Sequence, residues 1–125
     1  MQRKIKVLVV EPNELPREEM IENTLKAKQD LVGGNIEYVS RDCYSDVIFV
    51  CNEEGKLLGL PFNRDIGQDI IAGPFIIVGD DPEIGEDRSL TDEQIKKYQN
   101  VFDEKSISDT NIKLTEIYIG KDMSM

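Results

Sequence analysis

The sequence contains no histidine and no tryptophan, and it has only two cysteines in 125 residues. Histidine is the usual general base near neutral pH and a frequent zinc ligand, so its absence removes the common forms of both chemistries. Cys43 and Cys51 are too few for a disulfide framework and lack a C-x-x-C spacing; both are expected to be reduced and partly buried. No apolar run approaches the roughly 20 residues of a membrane span. Met1-Gln2-Arg3-Lys4 leads straight into a strand pattern, unlike a signal peptide, so a cytoplasmic location is expected. Positive charge is also scarce. Fifteen Lys and Arg face 25 Asp and Glu, a formal net charge of −10. Such a chain is not expected to bind a nucleic-acid backbone or an anionic membrane. Its charge leaves two readings open, an acidic surface that keeps the protein soluble and one that imitates the phosphates of DNA.

Catalytic signals are missing in the same way. Acid/base catalysis needs two carboxylates in different environments, and no spacing here shows that. Asp80, Asp81, Glu83, Glu86 and Asp87 do not fit a calcium loop, because Gly85 is misplaced and the terminal Glu is absent. Gly33-Gly34 precedes a strand, whereas a phosphate-binding turn would open a helix. Ser45 and Ser89 have no histidine to activate them. The reading is of no catalytic residues, no metal and no cofactor.

What is present is an α+β pattern in one small domain, with 39% hydrophobic and 32% charged residues. Lys4 to Val10, Val47 to Cys51 and Phe75 to Val78 end in or consist of unbroken apolar runs, the mark of strands covered on both faces. Leu8, Val9, Val10, Ile48, Phe49, Val50, Ile76, Ile77 and Val78 are the expected core. Asn52-Glu53-Glu54-Gly55 reads as a hairpin loop with Gly55 at a positive φ, and Lys56-Leu57-Leu58 as the return strand. Residues 14–32 fit either one long helix or a strand at 17–21 followed by a helix from Thr24 to Val32; the second is preferred because of Pro16 and a capping Asn23. Gly33-Gly34 supplies the left-handed residue that ends the helix. Asn35 to Ser40 reads as a short strand.

The sharpest local signal is Thr91-Asp92-Glu93-Gln94, a capping box, flanked by Leu90 and Ile95 as a hydrophobic staple. The helix it starts should bury Ile95, Tyr98 and Phe102. The prediction is an antiparallel or mixed sheet of about five to seven strands with two helices on one face. Residues 1–104 are read as the core domain. Residues 105–125 are read as an extension with a last strand at 112–119, apolar enough to want pairing although appended to a complete domain, so a homo-oligomer is expected.

The candidate ligand residues lie just beyond the central hairpin. Arg64 could pair with a phosphate, Asn63 could read a base or ribose edge, and Phe62 or Phe75 could stack on a ring. Asn52 sits beside them, and a second cation, Arg41, Arg88 or Lys56, would have to converge on the pocket. The alternative is that Phe62 is core, Asn63 holds a turn and Arg64 pairs with a surplus carboxylate.

The chain resembles a small family of unknown function from phages, prophages and conjugative elements of Firmicutes. The resemblance is carried by Lys6-Val7-Leu8-Val9-Val10-Glu11-Pro12, Leu31-Val32-Gly33-Gly34 with Ile36-Glu37, and Cys51-Asn52-Glu53-Glu54-Gly55-Lys56. Gly59-Leu60-Pro61 with Asn63-Arg64, Ile71-Ala72-Gly73 with Phe75, Val78 and Gly79, and Ser89-Leu90-Thr91 complete it, from Ile5 to Phe102. It implies a stand-alone α+β domain and an accessory role on a mobile element, and supplies no reaction. Two functions are therefore expected as alternatives. One is sequestration, without turnover, of a small anionic nucleotide-derived signal of host antiviral defence. The other is an acidic DNA mimic, or another protein-binding inhibitor of a host restriction or defence protein.

Overall fold

Three apolar strands need cover on both faces, and that requirement sets the architecture. The computed structural model describes residues 3–40, 46–67, 69–81, 83 and 85–123, with side chains as far as Tyr118. Strands β1 (Lys4–Val10), β7 (Phe75–Asp81) and β4 (Val47–Asn52) form the middle of an antiparallel sheet ordered β2-β1-β7-β4-β3. Its edges are β2 (Arg17–Glu22) and β3 (Ile36–Val39), and β8 (Glu86–Arg88) pairs with the end of β7. A second, two-stranded sheet joins β5 (Phe62–Asp65) to β6 (Ile70–Ala72). The helices are α1 (Leu25–Val32), α2 (Asp92–Val101) and α3 (Glu104–Met123). The α+β class is as the sequence implied.

Side-chain alternation along the central strands divides the core into two layers. Leu8, Val10, Phe49, Cys51, Phe75 and Ile77 face one way and pack with Ile66, Ile71, Ile95, Tyr98 and Phe102. Ile5, Val7, Val9, Val50, Ile76 and Val78 face the other way and pack with Ile21 and Val32. Helices α1 and α2 thus cover opposite faces of the sheet, not one face as expected. The unbroken apolar runs demand it, since a single helical layer would leave half of those side chains in water, at about 1.5–3 kcal/mol each. Of the nine expected core residues only Ile48 is less than fully buried.

Local signals behave as their chemistry dictates. The Thr91 hydroxyl accepts from the Gln94 amide at 3.1 Å, and the Gln94 side chain accepts from the Thr91 amide at 2.9 Å. Helix α1 is capped by Thr24, whose hydroxyl accepts from the Ala27 amide; Asn23 instead donates to the Asp87 carbonyl. Gly33 closes α1 at φ 82°.

Three further expectations are overturned. Residues 112–119 belong to α3, so the edge strand on which a homo-oligomer was expected is helical. Ser106, Thr110 and Lys113 all bond to β5, through Arg64, the Asp65 amide and the Asp65 carboxylate. That i, i+4, i+7 spacing falls on one side of a chain only when it is helical, and tertiary bonding overrides the β-branched propensity of the segment. Lys56-Leu57-Leu58 is not a return strand either. Residues 53–59 form consecutive turns, with Leu58 donating to Glu54 and Leu60 to Gly55. Gly55 lacks a positive φ and is required for another reason: a Cβ there would lie 2.4 Å from the Ala72 carbonyl oxygen. Among the described residues no helix is long and apolar enough to cross a membrane.

Candidate binding cleft

The end of β4 is built by one amide. The Asn52 side chain donates to the Val32 carbonyl at the end of α1 (3.1 Å) and accepts from the Glu54 amide (2.8 Å). It thereby joins α1 to β4 and starts the turn. Gly55 lets that turn lie against β6, and Lys56 pairs with Asp69 in the β5–β6 loop. The result is a cleft of about 360 Å³ between β3, the turn and the small sheet. Cys51, Ile66 and Ile71 make an apolar floor, and Glu37, Glu53, Asp69, Lys56 and Leu57 are among the residues at its mouth. An apolar base with a few polar groups is the usual composition of a binding site, and the volume is at the small end of that range.

The electrostatics are one-sided. Among the described residues three carboxylates line the cleft against a single lysine, and that lysine is already paired with Asp69. Among the described residues Glu37 and Glu53 have no ion-pair partner. Leu57, at 87% exposure, stands on the rim.

The expected ligand residues are dispersed. Arg64 is 0% exposed. Its guanidinium donates to Asn63 Oδ1 (3.0 Å), the Phe102 carbonyl (3.1 Å), Ser106 Oγ (3.0 Å) and the Glu14 carbonyl. Burial pushes its pKa below the ordinary arginine value, and nearby Asp103 acts the other way. Asn63 donates to the Val10 and Gly73 carbonyls at 2.8 and 3.0 Å, and Phe75 lies in the core against Phe49 and Phe102. Phe62 is half-buried beside Tyr118 of α3. These groups tie β5 to the N-terminal loop, α2 and α3, and present no phosphate-binding fork. Arg88 is exposed on β8, and Arg41 lies outside the described residues, as does Cys43. Among the described residues, only Asn52 and Lys56 of the expected set line the cleft.

A second polar cluster is closed in the same manner as Arg64. Lys28 is buried and forms an ion pair with Asp87, and it also donates to Asn23 at 3.0 Å. Tyr38 donates to the same carboxylate at 2.9 Å, and burial followed by that acceptor pushes the phenol up to about 12. Among the described residues no group of His, Cys, Asp and Glu side chains is arranged to hold a metal ion.

A family model describing a domain of unknown function, DUF3846, matches residues 5–103. The chain belongs to the DUF3846 family. The match spans both core layers, β1 through α2, and includes every described residue named in the cleft. Helix α3 lies wholly beyond the matched segment of this DUF3846 chain. No curated protein and no solved structure matches the chain.

Glu37, Glu53 and Asp69 are the residues that sequence reasoning passed over. One signal was available for Glu37. It is two residues from Val39, so the period of a strand places both on one face. Nothing local marks Glu53 or Asp69, which reach the cleft through the turn and the small sheet.

Proposed function

We propose that this chain is a non-catalytic acidic binding module that occupies a basic surface of another protein. The observation that carries it is the rim of the cleft, where Glu37 and Glu53 stand unpaired by any described cation. An anionic nucleotide is disfavoured there. Each carboxylate within about 4 Å of a phosphate opposes it by roughly 1–4 kcal/mol, depending on solvent exposure. Of the described cations expected there, Arg64 is engaged inside the fold, Lys56 pairs with Asp69, and Arg88 does not line the cleft. A lysine or arginine from a partner meets the opposite situation, an apolar floor for its stem and carboxylates for its head. The formal charge of −10 extends that preference over the whole surface and speeds association with a basic partner. In the setting that the resemblance implies, such a partner is a DNA-binding protein of host restriction or defence, whose nucleic-acid groove is basic.

Calorimetry against purified basic DNA-binding proteins, and separately against cyclic nucleotides and cyclic ADP-ribose isomers, tests this reading. Heat should appear with a basic protein, with affinity falling steeply as salt rises and DNA competing for the same site. Sub-micromolar nucleotide binding, or turnover of a nucleotide, would overturn it.

A further inference from the structure

The cleft is bordered by an open sheet edge, and the hydrogen-bond pattern shows which backbone groups that edge presents. The Glu53 amide donates to the Asn35 carbonyl at 2.8 Å, so Asn35 faces β4. In an antiparallel ladder the facing alternates residue by residue. With Glu37 opposite Cys51 and Val39 opposite Phe49, the backbone groups of Glu37 and Val39 also point to β4. Those of Ile36 and Tyr38 therefore point outward, each offering one N–H and one C=O. β3 ends the strand order, and no described residue bonds to these outward groups. The side chains alternate in the perpendicular direction: Val39 packs in the layer beneath α2, and Glu37 lines the cleft on that same face.

The opposite edge is different. On β2, Glu18 pairs with Lys6, Glu22 with Lys4, and Arg17 with Glu11 and Glu19. Its charges are satisfied within the fold, while Glu37 and Glu53 beside β3 have no ion-pair partner among the described residues.

We propose that an extended, basic segment of the partner protein adds as a strand to β3. Its backbone pairs with Ile36 and Tyr38, and a lysine or arginine on the cleft-facing side reaches Glu37 and Glu53 over the floor of Cys51, Ile66 and Ile71. Leu57 contacts an apolar residue of the same segment at the rim. Main-chain pairing at an open edge supplies affinity, and the pockets beneath alternate side chains supply selectivity. Because β3 is four residues long, recognition is brief and rests on the charged side chain. This inference depends on the acidic-module reading and gives it a place and a geometry.

The test uses the full chain and an eight-residue peptide of alternating lysine and valine, with a second peptide N-methylated along one edge. Calorimetry measures affinity and amide hydrogen exchange locates the contact. The unmodified peptide should bind and slow exchange at Ile36 and Tyr38. Both N-methylation and the double variant Glu37→Gln, Glu53→Gln should weaken binding by about tenfold or more, the loss expected from a few unmade hydrogen bonds or one lost charge pair. Equal affinity for the two peptides would overturn strand addition, and so would protection on β2 in place of β3. If basic DNA-binding proteins bind while the peptide does not, the acidic-module reading stands and this inference falls. If neither binds, both fall.

Discussion

Arg64 and the cleft originate within a dozen residues of one another, and they end in opposite states. Asn52 to Leu57 forms the wall of an open, acid-rimmed cleft, whereas Asn63 and Arg64 are sealed by carbonyls from three other parts of the chain. The difference lies in what covers each. Helix α3 and the loop around Glu14 close over β5, while β3 is an edge with no described strand paired beyond it. A guanidinium next to an amide and an aromatic is thus no sign of a ligand site by itself. Its meaning depends on whether the fold supplies acceptors of its own.

The sharpest way to break the comparison is to remove the closed node. Arg64→Ala should cost about 4–6 kcal/mol, because the carbonyls of Glu14 and Phe102 and the Asn63 amide lose a donor inside the protein and a cavity remains. That is a large part of a domain's total stability, and the urea midpoint should fall accordingly. A shift below about 1 kcal/mol would mean that Arg64 is not held as described. Asp87→Ala should come next, at about 3–5 kcal/mol, since it leaves Lys28 buried without its counter-charge. An unchanged midpoint in the same denaturation assay would contradict the burial of that pair.

Gly55→Ala probes the wall shared by the cleft and the small sheet. Its Cβ would meet the Ala72 carbonyl, so the turn must move away from β6 at about 1–3 kcal/mol, and the cleft should change shape with it. Retention of both stability and peptide affinity would show that the turn is free to relax. A smaller effect is expected from Tyr38. Its phenol is raised to about 12, so the unfolded chain loses that proton first, above about pH 10. The stabilisation is therefore complete below about pH 10 and declines as pH rises from 10 to 12. Absorbance titrations of the wild type and of Tyr38→Phe should differ by one phenol ionising near pH 12. The smallest change is predicted for Glu53→Gln. Stability should stay within about 0.5 kcal/mol, as for any exposed side chain without a partner, while affinity for a basic peptide falls. A clear loss of stability would place Glu53 with Arg64 among the groups that hold the fold.

Parts of this structure were legible because their causes are local. The capping box needs only Thr91 and Gln94, three residues apart, and Gly33 needs only its own backbone. The apolar runs at Val7 to Val10 and Phe75 to Val78 identify strands buried on both faces without reference to any partner. They also implied helices on both sides of the sheet, an implication that the expected single helical layer missed. Residues 112–119 misled because β-branched side chains suit a strand as long as no other element competes for them. Ser106, Thr110 and Lys113 reach β5 only as a helix, and β5 lies more than 40 residues away in sequence.

The sequence by itself determined the class of the protein, its central strands, the glycine that ends α1, the capping box that starts α2, its acidity and its family. Each follows from composition or from residues a few positions apart. Tertiary structure alone decided that Arg64 is a girder, that Gly55 is needed for close approach, and that Glu37, Glu53 and Asp69 share one cleft. Those outcomes depend on which groups the fold brings together across tens of residues. A side chain's chemistry is the same wherever it stands, but its availability is set by the acceptors and charges that folding places around it.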